Sequence, residues 1–139
     1  MKKNTVLGFD FGLKHIGVAV GQAITQTASP LIVLNANRGV PNWSEIKKLI
    51  IEWGADTLIV GLPLNMNGTE QPITQQAREF GEQLKKQFQL PVIFVDERLT
   101  TIAAKDEMHA TRQGAARFER ADSVSAKVIV ERYFDSDNR

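Results

Sequence analysis

Apolar and polar positions alternate along the chain in two rhythms. Residues 5–11 and 16–21 are short apolar runs joined by the turn Gly12–His15, which predicts two strands. Ser29–Asn35 predicts a third, with Asn35–Val40 as a loop after it. The short connections predict an antiparallel meander. The period then lengthens. Ile46, Leu49, Ile50 and Trp53 fall at i, i+3, i+4 and i+7, which predicts a helix over Pro41–Trp53, stopped by Gly54. Thr57–Leu62 is almost wholly apolar, as expected of a parallel strand covered on both faces. After a loop marked by Asn67-Gly68, a stripe of Ile73, Ala77, Phe80, Leu84 and Phe88 predicts a helix over about 70–89. Pro91–Val95 reads as the fifth strand. Thr100 suits the N-cap of a further helix. Residues 113–120 read as a polar, Arg-rich loop, about 121–134 as a last helix, and Asp135–Arg139 as a frayed tail.

Three meander strands followed by strand–helix crossovers predict an α/β fold in one domain over 1–139. Its sheet would be mixed and five-stranded, with three antiparallel and two parallel strands flanked by helices. Parallel strands gather their C-terminal ends at one edge, where open α/β sheets bind ligands.

Composition narrows the chemistry. The chain of 139 residues has no Cys, so disulfides and thiolate metal sites are excluded, and a reducing, cytoplasmic setting is expected. No signal peptide is expected, and no apolar run approaches the roughly 20 residues of a membrane span. With 17 basic and 16 acidic residues, any nucleic-acid binding must come from locally placed Lys and Arg.

Three acids stand out by position. Asp10 ends the first strand, Glu97 follows the fifth, and Asp122 opens the last helix. If the first and fifth strands are parallel, Asp10 and Glu97 emerge at one edge, and the last helix can bring Asp122 there. Converging carboxylates repel unless cations lie between them. An oxygen-only donor set suits Mg²⁺ or Mn²⁺, and a pair of such ions supports phosphodiester cleavage. Each acid alone has an ordinary alternative: Asp10 as a turn residue, Glu97 as a solvated acid, Asp122 at a helix N-terminus. Spacing alone does not force them together. Asp96 competes with Glu97; on a continuing strand the two point to opposite faces. Glu97 is the expected ligand, with Asp96 a supporting partner.

The same segments resemble a known family. Gly8-Phe9-Asp10-Phe11-Gly12-Leu13-Lys14-His15-Ile16-Gly17-Val18-Ala19-Val20 is similar to the first signature of the YqgF family. These RNase H-like proteins are described as pre-16S rRNA nucleases and Holliday-junction resolvase homologues. Val60–Glu70, Val95–Thr101 and Ala121–Ala126 resemble three further signatures, in order, so the likeness covers nearly the whole chain. It departs at Leu13, where the family often has Thr, and at Asn67, where it often has Asp.

The resemblance implies an RNase H-like fold and a divalent-metal-dependent endonuclease with Asp10, Glu97 and Asp122 as catalytic and metal-binding acids. It implies cleavage of structured nucleic acid, chiefly in maturation of the 5′ end of 16S rRNA in the bacterial cytoplasm, with branched DNA as the alternative substrate. Association with the pre-ribosome, as monomer or homodimer, would accompany that role. Lys14, Arg98, Arg112, Arg117 and Arg120 flank the acids and are the expected phosphate contacts. His15 and His109 are not expected to ligate metal, and Trp43 and Trp53 are expected to pack.

Two other classes compete. An Asp-x-Gly hairpin also opens actin-like ATPases and sugar kinases, but those need two related domains, and this chain has the length of one and no Gly-x-x-x-x-Gly-Lys loop. A non-catalytic nucleic-acid-binding factor on the same scaffold is the third class; retention of all three acids argues against it.

Overall fold

The run Thr5–Asp10 forms β1, the strand around which the rest is ordered. The computed structural model describes residues 5–97 and 116–137, with the side chains of 116–122 and 137 outside that description. β1 pairs antiparallel with β2 (His15–Gln22), which pairs antiparallel with β3 (Thr27–Asn37). On its other side β1 pairs parallel with β5 (Thr57–Leu62), and β5 pairs parallel with β6 (Val92–Asp96). A two-residue strand β4 (Val40–Pro41) pairs with the end of β3, giving the order β4-β3-β2-β1-β5-β6.

The sheet is mixed, as expected, but has six strands rather than five. Asn35–Val40 is not a loop: β3 runs on to Asn37 and turns through Arg38 and Gly39 into β4. Both turn residues have positive φ, +54° and +84°, as a two-residue type I′ hairpin requires. The pairing of β2 with β3 shifts between Val18 and Ala19, opposite Pro30. Pro30 has no N–H to give and lies where β4 does not reach.

Local signals set the helix ends. In α1 (Trp43–Trp53), Asn42 accepts the Ser44 N–H at 3.0 Å, and Gly54 closes the helix at φ +62°. The helix therefore starts at Trp43, after Pro41 has joined the sheet. α2 (Pro72–Phe88) opens on Pro72, and the Thr74 hydroxyl accepts the Gln71 N–H at 3.0 Å and donates to the Pro63 carbonyl. The last helix, α3 (Ala116–Asp137), begins inside the expected Arg-rich loop and runs through most of the expected tail. Its 22 residues exceed the expected helix over about 121–134 by roughly two turns. Among the described residues no helix is long and apolar enough to cross a membrane.

The two sheet faces are packed differently. Leu7, Phe9, Ile16, Val18, Leu58 and Val60 point toward α1 and α2, where Ile46, Ala77, Phe80 and Leu84 complete the larger core. Val6, Ala19 and Ile59 point the other way, against Ala126, Ile129, Val130 and Phe134 of α3. Period-two alternation makes this division automatic once one residue of each strand is assigned.

Candidate active site

β1, β5 and β6 are parallel, so their C-terminal ends share an edge. Asp10 is the last residue of β1 and has the parity of Val6 and Gly8, which places it on the α3 face. Glu97 follows β6 with the parity of Ile93 and Val95. Its N–H still donates to the Leu62 carbonyl at 3.1 Å, so the ladder carries it one residue past the strand and onto the same face. Asp96, one residue earlier, has the opposite parity and is only half-buried.

β5 lies between β1 and β6, so Asp10 and Glu97 stand two strands apart, about 9.6 Å by ordinary sheet spacing. Their side chains can meet only by reaching across β5. Gly61 is the residue of β5 beneath that meeting point. A Cβ at Gly61 would stand 2.4 Å from Ile129 Cδ1 and 2.9 Å from Glu97 Oε2. The absence of a side chain there is what lets Glu97 lie over the strand. Sequence reasoning passed over Gly61; a lone glycine inside an apolar run was the available signal for close approach.

Glu97 is only 3% exposed, and its Oε2 has no hydrogen-bond partner among the described residues. Burial, then the Asp10 charge and a hydrogen bond with Asp10, then the Asp96 charge, push its carboxyl up from 4.5 to about 10. With no cation bound, burial and the neighbouring acids favour the protonated form of Glu97, which hydrogen-bonds to Asp10. A buried carboxyl oxygen with no donor opposite it costs about 1–3 kcal/mol, which a folded chain tolerates only where something else is gained.

The backbone of α3 runs toward the same edge. The Ala126 carbonyl lies over Gly8, where an added Cβ would be 3.2 Å from its oxygen, and Val130 covers Gly8 and Gly21. From Val130 to Ala126 the helix advances toward the Asp10 end of β1. One further turn, about 5.4 Å, brings the backbone of position 122 to that end, on the face of Ala126 and Ile129. The side chains of Asp122, Arg117 and Arg120 lie outside the described residues, as do Arg98, Arg112 and His109 entirely. Among the described residues no group of three or more metal-ligating side chains gathers; the acids that meet are Asp10 and Glu97.

Lys14 is exposed in the β1–β2 turn. That turn is fixed against the β3–β4 hairpin: the Ala36 N–H donates to the Lys14 carbonyl at 2.8 Å and the Gly39 N–H to the Leu13 carbonyl at 2.9 Å. Trp43 packs, as expected, stacked on Phe80 with ring centroids 5.8 Å apart, whereas Trp53 is 36% exposed. Asn67 serves its own loop, accepting from the Thr69 N–H and hydroxyl at 3.1 and 2.7 Å.

Both the sequence and the fold match known proteins. The family described as "RuvX: Holliday junction resolvase" matches residues 4–136. The chain belongs to this resolvase family. A "Putative pre-16S rRNA nuclease" of Shewanella denitrificans is 53% identical over 133 residues, covering 95% of this chain and 94% of that protein. A protein of the same description from Haemophilus ducreyi is 51% identical over 134 residues, covering 95% and 96%. Among solved structures, Thermus thermophilus RuvC in complex with Holliday junction substrate superposes with a TM-score of 0.61 at 14% identity, covering 97% of this chain and 96% of that one. The fowlpox virus resolvase in complex with junction DNA gives 0.57 at 11%, covering 97% and 99%. At those identities the two resolvases establish the RNase H-like fold; family membership rests on the sequence matches.

Proposed function

We propose that this protein is a metal-dependent endonuclease that processes the 5′ end of pre-16S rRNA, with Asp10, Glu97 and Asp122 as its acidic centre. The observation that carries the reading is the meeting of Asp10 and Glu97 over Gly61, with a buried, partnerless oxygen on Glu97. The substrate assignment is supported by relatives of 51–53% identity described as pre-16S rRNA nucleases.

The donor chemistry fits a hard divalent cation. Asp10 and Glu97 offer carboxylate oxygens and no nitrogen or sulfur, the set that Mg²⁺ and Mn²⁺ prefer. Bound between these acids and Asp122, a pair of such ions would supply the activated water and stabilise the departing oxygen of a phosphodiester. The chain's own groups do the rest. The backbones of Asp10 and Glu97 are held by ladder hydrogen bonds, not by a loop. Cation binding would favour the ionised form of Glu97, its proton passing to solvent. Lys14, with Arg98, Arg112, Arg117 and Arg120, holds the phosphate backbone over the edge without reading sequence.

Cleavage of four-way DNA junctions is the second reading, favoured by the family's description. One experiment tests both: wild type, Asp10→Asn and Glu97→Gln are compared on structured pre-rRNA and on four-way junctions, with Mg²⁺ or Mn²⁺ and with chelator. Wild type should cut the RNA only with metal. Each variant should lose more than the roughly hundredfold typical of residues that merely support a metal ligand. Equal cutting by both variants would refute the acidic centre, and junction cleavage without RNA cleavage would favour the second reading.

A further inference from the structure

A cavity of about 330 Å³ opens on the other face of the sheet, immediately beside the acidic edge. Its floor is aromatic: Phe11, Trp43 and Phe80. Its rim is polar: Arg38 on the β3–β4 turn, and Gln76, Glu79 and Gln83 along one side of α2. Among the described residues none of these four rim side chains is hydrogen-bonded or ion-paired. The volume falls at the small end of the roughly 300–1,000 Å³ cavities that take small ligands.

Arg38 stands at a position its own backbone disfavours. The first central residue of a type I′ turn has positive φ and is best served by Asn or Gly; a long side chain at φ +54° costs about 1 kcal/mol. Arg there contributes nothing to the turn and makes no bond within the described fold, so its guanidinium is spare. The rim's chemistry indicates the ligand. A phosphate would meet the Glu79 carboxylate, so the site is not built for an anion. An aromatic lining in which Trp43 is the half-buried ring and Phe11 and Phe80 lie behind it, edged by amides, a carboxylate and a guanidinium that together donate and accept, suits the edge of a nucleobase.

Its position says which base. Phe11 follows Asp10 directly, about 3.8 Å along the backbone, and alternation turns it to the opposite face. A strand whose phosphate lies at Asp10 can therefore drop a neighbouring base into the cavity. We propose that this cavity is a subsite for one unpaired nucleobase of the substrate strand, next to the bond that is cut. The proposal rests on the nuclease reading above and adds to it a requirement for an unstacked nucleotide at the cleavage site.

The test measures binding in chelator, so that no cutting occurs. Wild type, Arg38→Asn and Gln83→Ala are titrated with a labelled single-stranded oligoribonucleotide and with a chain of the same length lacking bases. Wild type should bind the base-bearing strand about tenfold more tightly, the scale of one base stacked in a protein site. Both variants should close that gap while keeping wild-type affinity for the abasic chain. Arg38→Asn suits the turn, so its melting temperature should equal or exceed that of wild type, which separates lost binding from lost folding. Wild type binding both strands equally, or variants keeping the full gap, would overturn the subsite and leave the cavity to a protein partner or to none. The nuclease reading would survive that result if metal-dependent cleavage persisted, and would fall separately if neither RNA nor junction DNA were cut.

Discussion

The two faces of the sheet are built to opposite ends. The face under α1 and α2 carries Leu7, Phe9, Phe11, Leu58 and Val60, and Phe80 alone has ring contacts with Phe9, Phe11 and Trp43 at centroid distances of 5.3–5.8 Å. The face under α3 is lined near its centre by Gly8, Gly21 and Gly61, and the helix sits so close that an added Cβ would fall within 2.3–2.5 Å of its side chains. The first face gains stability from volume. The second gives up volume for proximity, and it is the one that ends in Asp10 and Glu97. A buried acid pair is costly, and the apolar mass on the opposite face offsets it.

That contrast can be broken most severely at Phe80. Phe80→Ala should lower unfolding stability by about 3–5 kcal/mol, measured by urea titration, by emptying the aromatic cluster. Cleavage by the fraction still folded should persist, weakened by no more than the roughly tenfold that one stacked base contributes. Gly61→Ala should cost less stability, about 1–3 kcal/mol, yet abolish metal-dependent cleavage, because the new methyl collides with Ile129 and with the Glu97 carboxyl. Comparable losses of activity from the two substitutions, after correction for folding, would erase the functional distinction between the faces.

Glu97→Gln should act in the opposite direction on stability. The folded carboxyl titrates near 10 and the unfolded one near 4.5. Below pH 4.5 both states hold the proton and nothing is lost. Above it the unfolded chain releases the proton while the fold retains it, so metal-free stability declines as pH rises, until the folded group ionises near 10. The decline is at most about 1.4 kcal/mol per pH unit. Urea titrations in chelator from pH 5 to 9 should show this slope in wild type and a flatter one in Glu97→Gln, which should be about 1–3 kcal/mol more stable at pH 7 while losing cleavage. A variant less stable than wild type at pH 7 would mean that Glu97 is satisfied in the fold. The smallest effect is expected at Gln89, which ends α2 at φ +56° and is exposed. Gln89→Gly should raise stability by about 0.5 kcal/mol with no change in cleavage.

Much of this arrangement was legible in the chain. Gly54 closes α1 by left-handed geometry, a local effect that was read, whereas the Asn42 cap at the other end was passed over and the helix was expected from Pro41. The stripe from Ile73 to Phe88 marked the buried side of α2 because 3.6-residue periodicity needs no partner to be visible. Arg38-Gly39 was read as loop because the I′ signature is usually Asn-Gly, and a spare arginine concealed it. The start of α3 was missed because residues 112–120 combine Arg112, Arg117 and Arg120 with Gly114 and offer Phe118 as their single large apolar residue, too little to draw a stripe.

Residue order by itself determined most of the element sequence, the glycine stop of α1, the buried stripe of α2 and the family signatures around the acids, all set by neighbours within a few positions. Only the tertiary structure decided that Glu97 rather than Asp96 is the buried partner of Asp10, that Gly61 clears the space between them, and that Arg38 and α2 enclose a cavity at the same edge. Those outcomes depend on which strand lies between which and on which face α3 covers. Such pairings join residues dozens of positions apart, and no local pattern encodes them.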